Sequence, residues 1–286
     1  LVPPPANRFT SAMPATSLLI ISNAINIIMS SILFAIEEGV GIITLNRPDK
    51  LNAFNRDMSL LLQQKLDECA ADQSVRCVYI TGAGKGFSAG QDLQEVTDPN
   101  GPGMKPILSE HYNPIITRIR KIAKPMLAAV NGVAAGAGAN IALACDVVVA
   151  AQSASFIQAF SKLGLIPDSG GTFILPRLIG WQKASALMML GDKVPAAAAE
   201  QMGMLYKVFP DETFAAESRK LALTLAQMPT KGLAYTKEVL NQSMSNNLDQ
   251  QLALEDTYQQ KAAVTSDFKE GLNAFLEKRP AIFKGE

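Results

Sequence analysis

The sequence is poor in the side chains that most often carry chemistry. Among 286 residues there are three cysteines, one tryptophan and a single histidine, His111. Cys69, Cys77 and Cys145 are odd in number, widely spaced and form no Cys-x-x-Cys pair. They exclude a disulfide framework and read as reduced thiols, buried as small hydrophobes in a cytoplasmic protein. One histidine leaves no His-rich metal site and weakens any Ser-His-Asp triad. Net charge is missing too: 26 Lys and Arg balance 26 Asp and Glu, so no broad basic face is available for nucleic acid. Charged residues make up 18%, below the roughly 25% usual for globular domains. The 48% apolar content suits a chain with a substantial core, and the low charge hints at surface hidden by self-association.

A long uninterrupted hydrophobic run is also lacking. A membrane span needs about 20 predominantly apolar residues; the stretch from Leu18 to Ile36 approaches that length, but Ser22, Asn23 and Asn26 break it. Arg8 is the only positive charge upstream and no clear small-residue cleavage site follows, so neither an anchor nor a signal peptide is expected. Residues 1–28 read as a leader, non-native or disordered, with the domain starting at Met29.

What is present is an alternation of strands and helices. Val40–Asn46 is β-branched and ends at Arg47-Pro48-Asp49, which marks a strand. Met58, Leu61, Leu62, Leu66 and Cys69 have helical spacing, giving a helix over 56–71. Strands are expected at 77–81, 126–130 and 146–150, with helices at about 109–122 and 137–144. The strands are apolar throughout, not alternating, which indicates an α/β protein with a buried sheet. Past Thr172 the pattern becomes almost wholly helical, with candidates at 181–190, 196–202, 214–227, 231–243, 248–263 and 267–278. Pro195 and Pro229 suit helix starts. The expected division is an α/β core over 29–225 and a helical C-terminal part over 226–286.

Gly82-Ala83-Gly84-Lys85-Gly86 does not make a phosphate loop, because Tyr79 stands where its first glycine would be and Gly86 where Ser or Thr is needed. A dinucleotide fingerprint fails at Phe87 and again at Ile141. Two small-residue turns remain, Phe87–Leu93 and Asn131–Asn140, each after a strand and leading towards a helix. Facing one another, their free N–H groups would make an oxyanion hole; the alternative is close strand–helix packing. Ile166-Pro167-Asp168-Ser169-Gly170-Gly171 adds a carboxylate before a possible helix. Asp168 is either the N-cap of that helix or a general acid/base whose apolar neighbours raise its pKa.

Taken together, these segments resemble the crotonase (enoyl-CoA hydratase/isomerase) superfamily over Ser31 to Glu286. The likeness rests on Gly86–Leu93, Tyr112-Asn113-Pro114, Ala129–Ala139, Ala159–Asp168 and Gly271–Arg279. Within the superfamily it is nearest to the isomerase branch that acts on a ring epoxide of an aromatic CoA thioester in phenylacetate catabolism. The resemblance implies a ββα spiral core with a C-terminal helical subdomain and an acyl-CoA thioester as substrate. It implies no metal or other cofactor, coenzyme A being part of the substrate. Partners implied are further copies of the chain, as a homotrimer or dimer of trimers, with no nucleic acid and no membrane. By motif position the thioester oxygen would be held by the main-chain N–H groups of Gln91 and Ala137, with Asp168 catalytic. Substrate and CoA contacts would fall to Leu51, Ala53, Ala89, Asp92, Leu93, Gly136 and Pro167. Phe275 and Lys278 would reach CoA from the C-terminal helix, often that of a neighbouring subunit.

The departures are equally informative. Hydratases of the superfamily activate water with two glutamates, and this chain has Asn140 and Phe160 at those positions. An amide and a phenyl ring cannot act as general bases at neutral pH. Two-glutamate hydration is therefore not expected; the resemblance implies conversion of the aromatic ring epoxide to the oxepin-CoA, with 3-enoyl- to 2-enoyl-CoA isomerisation as a second competence, and Phe160, Phe156 and Phe173 either form an apolar wall or are simply core. A hydratase for an unusual acyl-CoA and a non-catalytic acyl-CoA-binding member are the alternatives.

Overall fold

Successive strands of the core go to different sheets, and this handover builds the site. In the computed structural model, which describes residues 30–286, β1 (Ile32–Glu37) and β2 (Val40–Leu45) form an antiparallel hairpin. Helix α1 (Arg56–Ala71) follows, then β3 (Cys77–Gly82), β4 (Gly86–Ser88) and the short α2 (Leu93–Thr97). A π-helical turn at Ile107–Tyr112 leads into α3 (Asn113–Lys121), β5 (Met126–Val130), β6 (Val133–Ala135), α4 (Ala137–Leu143), β7 (Val147–Ala151) and β8 (Ser155–Ile157). The rest comprises α5 (Gly171–Ile179), α6 (Trp181–Leu190), β9 (Lys193–Pro195), α7 (Ala196–Gln201), β10 (Lys207–Phe209), α8 (Asp211–Gln227), α9 (Thr230–Ser243), α10 (Leu248–Ala263) and α11 (Ser266–Glu277).

One sheet runs β1-β2-β3-β5-β7-β10 and the other β4-β6-β8-β9. Thus β3, β5 and β7 each pass directly to a strand of the second sheet, which is the ββα spiral expected from the resemblance. All five residues of β5 are buried, as fits a parallel strand covered on both faces. Met58, Leu62, Leu66 and Cys69 bury one face of α1. The Asn55 side chain caps that helix by accepting from Met58 N at 3.1 Å. Burial pushes the thiols of Cys69, Cys77 and Cys145 up to about 12, so all three are inert in the core.

The expected helix at 109–122 differs from the observed one in a way that matters. Pro114 has no N–H to donate to Glu110 O, and Gln63 Nε2 from α1 supplies that bond at 2.7 Å. The chain takes a π turn just before it, over 107–112. The region past Thr172 is not wholly helical, since β9 pairs with β8 and β10 with β7. Residues 31–286 cluster as one compact unit, and α8 crosses the expected boundary at 225/226. The expectation for residues 1–28 lies outside the described residues. No helix among the described residues is long and apolar enough to cross a membrane.

Candidate active site

The two small-residue turns do face one another. A Cβ built on Gly90 would lie 2.8 Å from Ala135 O and 3.4 Å from Ala137 N, so only glycine lets the turns approach this closely. Phe54 holds the first turn as a single parallel bridge. Its N donates to Gly90 O at 2.7 Å and its O accepts from Asp92 N at 2.8 Å. In that pattern the residue between, Gln91, aims its own N–H away from Phe54. In the second turn Gly136 N donates to Ile157 O at 2.9 Å, and Ala137 opens α4 with one of the orphan N–H groups of a helix start. Among the described residues, neither Gln91 N nor Ala137 N donates to a protein acceptor.

Beside these N–H groups lies a cavity of about 710 Å³. Gln91, Ala137, Gly136 and Asp168 line it, as do Ala53, Ala89, Asp92 and Leu93. Val96, Met104, Ile107, Phe160, Leu163 and Leu165 make most of the remaining wall apolar, with Lys50 and Lys162 also on it. Of the three phenylalanines expected as wall or core, only Phe160 lines the cavity. Phe156 is core at 2% exposure, and Phe173 is half-exposed with the Arg177 guanidinium 3.7 Å from its ring centre.

Asp168 is not the N-cap of α5. That position belongs to Gly170, which makes no side-chain cap bond. The Asp168 carboxylate instead accepts from Ser169 Oγ at 2.8 Å. Burial raises its pKa above the ordinary carboxylate value, and the Ser169 hydroxyl opposes the rise. Asp92, the other acid on the wall, is engaged: it caps α2 by accepting from Gln94 N at 3.1 Å and pairs with Arg47 at 2.8 Å. Burial alone would raise the Asp92 carboxyl, but the Arg47 guanidinium and the Gln94 N–H hold it below its usual value.

Four further residues expected at the substrate are not on the wall of this cavity within one chain. Leu51 is absent from the cavity wall and supports it through its main chain, accepting from Ala89 N at 2.9 Å. Pro167 lines a neighbouring apolar cavity of about 510 Å³. Phe275 and Lys278 are at the end of α11, with Phe275 80% exposed, and neither lines the 710 Å³ cavity within one chain.

Residues 35–286 match the family of enoyl-CoA hydratases and isomerases. The chain belongs to this family. It is 48% identical to the 1,2-epoxyphenylacetyl-CoA isomerase of Escherichia coli strain K12, over 90% of this chain and 100% of that protein. It is also 36% identical to the 2,3-dehydroadipyl-CoA hydratase of the same organism, again over 90% and 100%. An enoyl-CoA hydratase crystal structure from Bacillus anthracis superposes with a TM-score of 0.83 at 32% identity, covering 90% of this chain and 100% of that one. The crotonase-type fold and the enzymatic class expected from the sequence both stand.

Asn140 and Phe160 stand at the two positions where the resemblance would place water-activating glutamates. Asn140 is 1% exposed and hydrogen-bonded at both ends of its amide, and Phe160 presents a ring to the cavity. Sequence reasoning missed two further contributors. Tyr112, quoted only as part of a motif, reaches the cavity wall from the end of the π turn; its signal was the proline two residues on. Asn52 is fully buried and ties the first turn together. Its Nδ2 donates to Ala83 O at 2.9 Å and Gly86 O at 2.8 Å, while its own carbonyl accepts from Ser88 Oγ at 2.8 Å. Nothing in its neighbourhood of the sequence announces that role.

Proposed function

We propose that the protein is an acyl-CoA isomerase that moves a double bond by carrying one proton on Asp168. The observation that supports it best is a half-buried carboxylate, without an ion-pair partner among the described residues, on a mainly apolar wall beside two unengaged main-chain N–H groups. Removing a proton next to a thioester places negative charge on the carbonyl oxygen. The N–H groups of Gln91 and Ala137 stabilise that enolate, each such donor being worth roughly 3 kcal/mol. On a 3-enoyl thioester the C2–H bond breaks towards Asp168 and its electron pair passes to the enolate; as that pair returns to form the C2–C3 double bond, the C3–C4 double bond opens and its pair takes the proton back from the carboxyl at C4. No water enters, and the carboxylate is regenerated. Proton transfer by a positioned side chain contributes roughly 10²- to 10⁴-fold.

For the acyl group, the likeness to 1,2-epoxyphenylacetyl-CoA isomerase and the Phe160 ring support an aromatic ring epoxide opening to the oxepin-CoA, with 3-enoyl- to 2-enoyl-CoA isomerisation as a second competence. Coenzyme A would run along Ala53, Ala89, Asp92, Leu93 and Gly136 on the cavity wall, with Leu51 and Pro167 reached outside it. Phe275 and Lys278 would come from a neighbouring copy in a homotrimer or dimer of trimers, which gives the exposed apolar side chains of Phe268, Leu272, Phe275 and Leu276 on α11 a covering. The reaction needs no metal or added cofactor and suits a cytoplasmic enzyme. Chromatographic separation of the isomers followed by mass spectrometry, with aromatic-epoxide and 3-enoyl CoA thioesters side by side, tests the reading. Turnover of both, faster on the epoxide, is expected; turnover of neither would refute it.

A further inference from the structure

Asn140 uses both ends of its amide in places where no other partner would serve. Its Nδ2 donates to the main-chain oxygen of Asp168 at 2.8 Å, and its Oδ1 accepts from Gln158 Nε2 at 2.8 Å. A carbonyl only accepts, so Nδ2 must face Asp168, which turns Oδ1 to Gln158 and obliges Gln158 to present its own amine. Both residues are buried, at 1% and 4% exposure, and neither lines the cavity. The Asp168 carbonyl also accepts from Gly171 N at 2.9 Å. A Cβ on Gly171 would come within 2.8 Å of the Asn140 Cγ, so this glycine is what admits the amide.

The loop held in this way does not hold itself. Ser169, next to Asp168, is a non-glycine residue at φ +52° and is 2% exposed. Such a conformation costs roughly 1–3 kcal/mol and persists only where its surroundings over-determine it. A carboxyl that takes a proton from one carbon and returns it to another must also be fixed closely, since a misplacement of about 1 Å can lower a rate roughly 10²-fold.

We infer that Asn140, braced by Gln158, is a positioning residue that fixes Asp168 over the cavity through its main-chain carbonyl. The inference rests on the acid/base reading of Asp168. At the position where a water-activating glutamate would stand, the amide thus serves as a clamp. An acidic side chain there would set a second oxygen against the Asp168 carbonyl and undo it.

The test compares full-length wild type with Asn140→Ala, Gln158→Met and Asp168→Asn, measuring kcat, KM and the pH–rate profile on a 3-enoyl-CoA thioester, with thermal melts alongside. The groups facing Asp168 whose protons bear on that profile are the hydroxyls of Ser169 and Tyr112. Asn140→Ala should lower kcat by about 10- to 100-fold, hold KM within about twofold, and displace the acid limb of the profile. Gln158→Met should do the same less strongly, and it carries the test if Asn140→Ala does not fold. A merely structural role would move the melting temperature and leave the profile where it was. Wild-type kcat and an unmoved profile in these variants, with Asp168→Asn inactive, would overturn the clamp and leave the acid/base reading standing. An active Asp168→Asn would overturn both.

Discussion

Tyr112 donates its hydroxyl hydrogen to Gln91 Oε1 across 2.8 Å, and Gln91 Nε2 donates onward to Glu95 Oε2 at 2.7 Å. The residue whose main-chain N–H faces the cavity is thereby held by its side chain from two directions. The Tyr112 ring is fully buried and meets Phe54 edge-on, with ring centres 6.0 Å apart, so the hydroxyl has little freedom. Burial raises its pKa well above the phenol range, which keeps it a donor at every working pH.

Tyr112→Phe keeps the ring and removes one hydrogen bond of about 1 kcal/mol. A fall in melting temperature of roughly 2–4 °C is expected, with a several-fold lower kcat and unchanged affinity for a product CoA thioester. Steady-state kinetics beside a thermal melt reads both, and an unaltered kcat would show that the Gln91 side chain does not govern its N–H.

The half-buried Asp168 carboxyl makes activity and stability respond to pH in opposite senses. Its raised pKa means that the folded protein holds this proton to higher pH than the unfolded chain does. The associated stability is fully present below the unfolded carboxylate value and is lost as pH rises through the folded one. Proton abstraction needs the ionised form, so the acid limb of kcat/KM should lie above the ordinary carboxylate range. An acid limb at the ordinary carboxylate value would contradict the burial argument.

Water addition should fail where isomerisation succeeds. With Asn140 held at both ends and Phe160 in the second position, no glutamate pair stands ready to activate water. Incubation with crotonyl-CoA should leave the enoyl absorbance unchanged on the timescale of 3-enoyl-CoA turnover; loss of absorbance at a comparable rate would restore the hydratase reading.

The chain past the core is tied down by an ion pair whose lysine is buried. Lys237 on α9 pairs with Asp146 at 2.8 Å and donates to Ile119 O at 2.7 Å. Burial lowers the Lys237 pKa and Asp146 opposes that shift. Lys237→Met removes the pair and takes the ammonium donor from the Ile119 carbonyl, so a loss of about 1–3 kcal/mol is expected. Denaturant unfolding measures this, and an unchanged midpoint would show that Arg120, 3.4 Å from the same carboxylate, suffices alone.

How much of this was legible before the structure depended on length and on sequence distance. Helix α1 and strand β5 have the residue ranges that their apolar patterns predict, because sixteen and five residues of consistent burial leave a periodic trace. The second sheet left none: β4, β6 and β8 are three residues each, too short for periodicity, and are stabilised by pairing between distant segments. Asp168 was visible as a carboxylate in a restricted loop, but its two readings could not be separated until Gly170 was seen to take the cap. The Asn140–Asp168 bond spans 28 residues, and the Tyr112–Gln91 bond spans 21; no local pattern encodes either. Asn140 was readable as what it cannot do, and its hydrogen-bonding role emerged only from the fold.

Turnover of Asp168→Asn on a 3-enoyl-CoA thioester, set against its affinity for the 2-enoyl product, is the decisive comparison. Asparagine keeps the shape of the side chain and an oxygen for the Ser169 hydroxyl, but it cannot carry the proton. A kcat lower by roughly 10²- to 10⁴-fold is expected, with near-wild-type affinity and a higher melting temperature at neutral pH. Wild-type turnover by a folded Asp168→Asn protein would show that Asp168 does not carry the proton.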